Sequence, residues 1–343
     1  MKKTGVTIFL LAITVSVSPR VGERILKNYR IVFYNVENFF DMVDDSATAD
    51  EEFLPGGMRG WNSTKYRKKQ ANISKVIAAI GGWDAPPLIG LCEVESNKAL
   101  TDLTRYSPLA ALKYEFIHHE SPDPRGIDTA LLYQPELFRP VADEALKVSF
   151  PEHPHMTTRD ILYVSGIVPS NDTLHVFVCH FPSRLGGEME SENKRMTVAA
   201  RLKAKIDELY RIYHNPNIVV MGDFNDYPDN RSLTEVLAAK EPSGDISATE
   251  LYNLMIPLQK AGKGTHKYQG ESGVLDQIIV SGALLNPQSG FYTLPQDVRI
   301  FDADFLLEDD RNYLGKQPFR TYVGMRYNDG FSDHLPVYVD CWY

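Results

Sequence analysis

Four apolar, strand-like segments, 114–119, 128–134, 160–168 and 173–181, follow one another with no helical pattern between them. Strands joined without a crossover helix pair antiparallel, because a parallel neighbour needs a connection of about a dozen residues or more. Further strand-like runs lie at 30–36, 88–94, 217–222, 274–281 and 335–341, and helical patterns cover 65–80 and 193–213. In the second helix Met196, Ala199, Ala200, Lys203, Ile206, Leu209 and Tyr210 recur near the helical period. Two sheets with a few outer helices fit this pattern better than a doubly wound parallel sheet.

At 343 residues, 43% of them hydrophobic and 24% charged, the chain can bury a sizeable core. No repeat, low-complexity tract or Pro/Gly/Ser linker divides it. A formal charge of −9 gives no overall bias toward nucleic acid or an anionic membrane. Arg59, Lys65, Arg67, Lys68 and Lys69 form the densest basic stretch, a local patch or a solvated helix face. Lys2 and Lys3 precede the apolar run GVTIFLLAITVSVS, too short to span a bilayer comfortably, so residues 1–18 read as a signal peptide of an exported protein, periplasmic or extracellular. No integral membrane segment is expected once that leader is removed. Cys92 and Cys179 sit inside apolar runs and Cys341 near the C-terminus, with no spacing that suggests a metal or redox motif.

The informative residues are polar groups at strand ends. IVVMGDFND, residues 218–226, puts Asp223 and Asn225 just past one strand, and GFSDHLPVYVD, residues 330–340, puts Asp333 and His334 just before another. YNVEN adds Asn35, Glu37 and Asn38; CEVES adds Glu93 and Glu95; the strand 173–181 delivers His180, and LDQIIVS opens with Asp276. Singly these are turn formers or edge residues. Together they are complementary types, and strands about 5 Å apart bring their ends to one cleft. Oxygen ligands without cysteine favour Mg²⁺, Mn²⁺ or Ca²⁺. Histidines backed by carboxylates, Asp276 behind His334 and Asp128 behind His180, suit water activation and charge stabilisation in phosphoryl transfer.

The ordered set YNVEN, GLCEVES, RGIDTALLY, TRDILYVSG, HFPSR, GDFND, LDQIIVS and SDHLP resembles the endonuclease/exonuclease/phosphatase superfamily, pancreatic-type deoxyribonucleases and bacterial sphingomyelinases among its members. Its YNVENFFD start is similar to a branch of secreted bacterial nucleases. The resemblance spans residues 29–343 as one domain. It implies an α/β (α+β) fold: a four-layer α/β/β/α sandwich, two mixed β-sheets face to face with helices outside. It implies Glu93 as principal metal ligand, with Asn35 beside it on metal or phosphate, and Asp333 as ligand of the same or a second ion. Asp223 and Asn225 are implied to orient the attacking water, and His334 to act as general base or phosphate stabiliser oriented by Asp276. His180 is implied as a second phosphate-facing histidine with Asp128 as partner, and Arg159 as an arginine aimed at the phosphate. Arg184 is either an anion clamp or a surface arginine.

The function implied is a secreted, divalent-metal-dependent phosphodiesterase or nuclease, read as a monomer, acting on a phosphoester with nucleic acid as one possibility. A phosphatase or a sphingomyelinase-like phospholipase C is the alternative, and a catalytically silent module the least favoured. The aromatic segment 291–330 could stack bases, dip into lipid or recognise a sugar phosphate, although packing is the simplest role for at least half of its rings.

Overall fold

The computed structural model describes residues 26–343, so the leader expected over residues 1–18 lies outside the described residues. The chain begins with β1 (Asn28–Phe39), α1 (Ser63–Gly81), β2 (Leu88–Val94), α2 (Asn97–Tyr106), β3 (Glu115–His118) and β4 (Asp128–Tyr133). β5 (Arg139–Leu146), β6 (Ile161–Ile167), β7 (Thr173–His180), α3 (Glu188–Ile212), β8 (Asn217–Asp223), β9 (Leu251–Asn253) and the short α4 (Ile256–Lys260) follow. The last part holds β10 (His266–Tyr268), β11 (Glu271–Gly273), β12 (Asp276–Ser281), β13 (Tyr292–Ile300), β14 (Leu307–Asp309), β15 (Lys316–Pro318), β16 (Tyr322–Val323), β17 (Arg326–Tyr327) and β18 (Val337–Trp342).

Two six-stranded sheets result, ordered β13-β18-β1-β2-β4-β3 and β5-β6-β7-β8-β12-β9. Each is mixed. β1 and β2 are parallel, as are β7 and β8, and α3 bridges the second pair. The antiparallel expectation for 114–181 holds for β3–β4 and β6–β7. Between them the chain crosses from one sheet to the other through β5, an edge strand whose sequence RPVADEAL is mostly exposed and lacks an apolar row. That absence hides β5 from a periodicity reading. α2 is amphipathic, with Ala99, Leu100, Leu103 and Thr104 buried on one face, and Ser96 caps it by accepting from the Ala99 N–H at 3.0 Å.

The layers follow from the period of two. Tyr29, Ile31 and Phe33 of β1 face Val176 and Val178 of β7, Val219 and Met221 of β8, and Ile278 and Val280 of β12 across the space between the sheets. The alternate residues Val32, Tyr34, Ile89 and Leu91 pack outward against Ile73, Val76 and Ile77 of α1 and Leu100 and Leu103 of α2. On the other side Phe177, Ile218 and Val220 pack against Val198, Leu202, Ile206 and Leu209 of α3. The molecule is therefore the four-layer sandwich expected, and Cys92, Cys179 and Cys341 are buried free thiols within it.

One histidine of this frame makes stability depend on acid. His175, only 1% exposed, stacks on Tyr163 and shares a 2.8 Å hydrogen bond with its hydroxyl. Burial, aided by Lys205, lowers its imidazole to about 4. The unfolded chain takes up this proton near pH 6.5 and the folded chain does not. Stability is therefore intact above that pH and falls by up to about 3 kcal/mol as pH drops toward 4. Denaturant titrations at pH 7 and pH 4.5 should show a smaller acid loss in His175→Gln than in wild type. An unchanged acid slope would refute the assignment.

Candidate active site

The polar strand ends are the terminal members of the same rows that build the inter-sheet core. His180 lies in register with Asp223, and Asp223 with Asp276, so β7, β8 and β12 present a histidine and two carboxylates side by side. One step deeper into the core along the same rows stand Val178, Met221 and Ile278. Asn35 continues Ile31 and Phe33 of the facing sheet. The closeness of β7 and β8 requires Gly222, where a Cβ would come within 2.4 Å of the Cys179 carbonyl oxygen.

Glu93 arrives by a different route. Alternation from Cys92, which faces the inter-sheet core, would turn it outward toward α1. Instead the β2–β4 register slips between Cys92 and Val94, leaving Glu93 as an extra bulged residue at φ +63°. The β1–β2 register slips opposite it, with Glu37 and Asn38 also left-handed. Such backbone is strained for non-glycine residues, and a bulge is the usual way to re-aim one side chain. The result puts Glu93 Oε2 at 2.8 Å from the Asn38 N–H and Oε1 at 3.3 Å from the Asn35 amide. Asn35 Nδ2 donates to Asp223 as well, at 3.1 Å, and so ties the two sheets together across the cleft.

Two histidines flank Asp223 with opposite electrostatics. The His334 Nδ1–H donates to Asp276 Oδ2 at 2.7 Å, and Nε2 lies 3.8 Å from Asp223. Burial works against its charge, but the Asp276 and Asp223 carboxylates outweigh it and hold the imidazole well above the usual range. His180 Nε2 lies 3.6 Å from Asp223 and 3.9 Å from Glu93. Burial, with Arg159, Arg125 and His334 nearby, keeps it neutral. Burial also raises Asp223, reinforced by Asp276 and Glu93 despite the charge on His334.

This donor set suits a hard cation. Carboxylate oxygens crowd the cleft, Asp276 Oδ1 is buried with no hydrogen-bond partner, and Asp223, Asp276 and His334 offer ligand atoms within 4.8 Å of one another. Asp333, His334 and His266 form a second such group. Asn35 contributes differently from one expectation. Its Oδ1 accepts from the Glu37 N–H at 3.0 Å, so it presents amide hydrogens to the cleft, a donor toward carboxylate or phosphate in place of an oxygen ligand.

The placement of the remaining expected residues is uneven. Asn225, at φ +49°, is held by its N–H on Asp223 Oδ1 at 2.9 Å and by its amide on the Phe181 carbonyl, beside His180. Asp128 does not back His180. It accepts from the Ser121 N–H and hydroxyl and lies 3.5 Å from His118, while His180 Nδ1 is buried without a partner. Asp128 shares the outward face of β4 with Ala130 and Leu132, so its carboxylate stands away from the inter-sheet row that ends in His180. Arg159 is buried, with its fork on Asp123 at 2.9 Å and the Phe181 carbonyl at 2.7 Å. Arg184 holds the Asn225 carbonyl at 2.7 Å and Asn230 at 2.9 Å and stacks on Tyr227. Both arginines brace the site's loops.

Arg320, Lys69 and His266 also stand at this site, unmarked by any strand-end motif, beside Glu37 of the YNVEN motif. Lys69, buried in α1, donates to Thr321 Oγ1 and the Phe331 carbonyl, both at 2.6 Å. Arg59 donates to the Gly324 carbonyl, and Asn72 to that of Gly330. Three of these side chains thus anchor the segment that carries Arg320 and leads into Asp333, and the basic stretch is largely spent on this task. Of the ring residues in that segment, Tyr322 is buried, Phe301, Phe305, Phe319 and Tyr327 are half-buried against the α1 layer, and Tyr313 is exposed. Glu37 and Glu95 are buried rather than solvated past the strand ends, and Glu95 turns away to accept from the Asp41 N–H.

A family model described as Endonuclease/Exonuclease/phosphatase family matches residues 30–342. No curated protein matches the sequence. Similar solved structures include an endonuclease/exonuclease/phosphatase family protein from Bacteroides thetaiotaomicron, with a TM-score of 0.56 and 17% identity over 93% of this chain and 96% of that one. A mannosyl-6-phosphatase from the same organism gives a TM-score of 0.56 and 16% identity over 92% and 100%. TDP2 of D. rerio, humanized by 14 mutations, gives 0.56 and 13% over 92% and 99%. At these identities the likeness is one of fold.

Proposed function

The chain belongs to the endonuclease/exonuclease/phosphatase family, and we propose that it is a divalent-metal-dependent phosphoester hydrolase cleaving P–O bonds by in-line attack of an activated water. The observation that carries this reading is the convergence of Asn35, Glu93, His180, Asp223, Asp276 and His334 from both sheets within one set of direct contacts. Glu93 and Asp333 would hold Mg²⁺, with Mn²⁺ or Ca²⁺ as substitutes. The bound ion supplies charge neutralisation on the phosphate oxygens.

The side chains do the rest. Asp223 and the Asn225 amide orient the water, and its proton passes to the Asp223 carboxylate, which burial raises to about 7. His334, charged through Asp276, donates from Nε2 to an oxygen on which negative charge develops. Neutral His180 and the Asn35 amide fix the phosphate's remaining oxygens. The chemistry fits a phosphoester: D. rerio TDP2 has been solved complexed with single strand DNA product, and another neighbour is a mannosyl-6-phosphatase. The charged head and short apolar run over residues 1–18 are read as a leader for export, and among the described residues no helix is long and apolar enough to cross a membrane.

A panel of DNA, RNA, sphingomyelin and small phosphomonoesters tests the reading. At least one should be hydrolysed with Mg²⁺, fall to background in EDTA and recover when Mg²⁺ is restored. Hydrolysis indifferent to chelation would sink the metal-dependent mechanism.

A further inference from the structure

Of three arginines near the cleft, Arg159 and Arg184 have their terminal nitrogens engaged by this chain's own carbonyls, amide and carboxylates, and Arg159, whose Nε is also unpaired, is only 6% exposed. Arg320 differs. One terminal nitrogen is pinned by Asp333 at 2.8 Å, and Nε sits 3.6 Å from Glu37, buried without a hydrogen-bond partner. The side chain remains 41% exposed, so the guanidinium keeps an open edge beside the candidate metal ligands. Its position is built rather than incidental. The backbone N–H of the next residue, Thr321, donates to Glu37 at 2.7 Å, and Lys69 holds the Thr321 hydroxyl and the Phe331 carbonyl. A planar fork fixed in this way matches phosphate oxygens bidentately.

A second feature bears on what carries that phosphate. A groove of about 620 Å³ opens along the rim by Glu95, two residues from Glu93, and by Asp123, which holds Arg159. Asp41, Asp44, Asp45 and Glu120 also line it, and its lysine, Lys98, is paired with Asp102. A nucleic-acid backbone threading the site past this rim would set its flanking phosphates against carboxylates, where affinity for a polyanion needs basic groups.

We propose that Arg320 receives the anionic oxygens of the substrate's phosphate, and that the site takes a small molecule bearing a single phosphate over a polynucleotide. This rests on the hydrolase reading above. The test measures kcat and KM of the full chain and of Arg320→Gln and Arg320→Lys on p-nitrophenyl phosphate, bis(p-nitrophenyl) phosphate and a single-stranded oligonucleotide. Thermal scans of each variant accompany the kinetics. The small esters should exceed the oligonucleotide in kcat/KM. Arg320→Gln should raise KM for them by about ten- to a hundredfold with a smaller change in kcat, and Arg320→Lys, which keeps the charge and loses the fork, should recover only part. Should Gln at 320 prevent folding, a several-fold rise in KM for the Lys variant carries the same weight. Preference for the oligonucleotide overturns the substrate class, and an unchanged KM in both variants overturns the role of Arg320. Failure of wild type to hydrolyse any of the three with metal overturns the hydrolase reading instead.

Discussion

Glu93→Gln is expected to lower kcat/KM by at least about a thousandfold, a loss near 4 kcal/mol of transition-state stabilisation, while the protein stays folded. The glutamine keeps the shape and can still accept from the Asn38 N–H, which Glu93 now meets at 2.8 Å. It removes one negative charge from a cleft in which Asp223 is already raised by burial and by its carboxylate neighbours. In EDTA the variant should therefore melt at or above the wild-type temperature. Loss of activity together with a lower melting temperature would mean that Glu93 serves the fold and not the metal. Activity within tenfold of wild type would remove Glu93 from the mechanism altogether.

Asp276→Asn is expected to cost about 10³- to 10⁴-fold in kcat, the scale on which a histidine loses its orienting carboxylate. Asp276 is 0% exposed and supplies the 2.7 Å acceptor for His334 Nδ1–H. Of the groups favouring the charged imidazole it acts most strongly, ahead of Asp223. Without its charge, burial is opposed by less, and the folded-state value for His334 falls. The sign follows directly: charged His334 now persists to higher pH than a free imidazole, and in the variant it is lost at lower pH. The alkaline limb of the rate profile should shift to lower pH in step with the His334 titration followed by NMR. A variant with a normal profile and a normal rate would show that Asp276 is a packing residue.

Much of this could be read from residues alone, for a physical reason. The inter-sheet rows, Val176–Val178–His180, Val219–Met221–Asp223 and Asp276–Ile278–Val280, alternate with period two, so a polar residue ending a row must emerge at the edge of the core. The pairing of Asp276 with His334 was legible because each ends or precedes such a row. The Asp128–His180 pairing failed because alternation along β4 puts Asp128 on the outward face with Ala130 and Leu132, whereas His180 ends an inter-sheet row. β5 escaped because an exposed edge strand carries too little periodic signal, whereas α2 does carry a readable apolar face, Ala99, Leu100 and Leu103, over its ten residues.

The basic stretch before and within α1 shows the limit most clearly. As a sequence it marks a charged surface. In the fold Lys69 is 1% exposed and binds groups about 250 residues later in the chain, because the 319–331 segment closes over α1. No local pattern encodes that contact.

What the sequence by itself determined was two sheets with outer helices and the roster of polar strand ends, since both follow from alternation and local turn chemistry, and the resemblance of its motifs implied their stacking as a four-layer sandwich. What only the tertiary structure decided was aim. Glu93 points into the cleft through a left-handed bulge that contradicts its own alternation, and Arg320 reaches it from a long excursion anchored on Lys69. Both depend on contacts between distant segments, whose energy is settled only when the two sheets and α1 have packed.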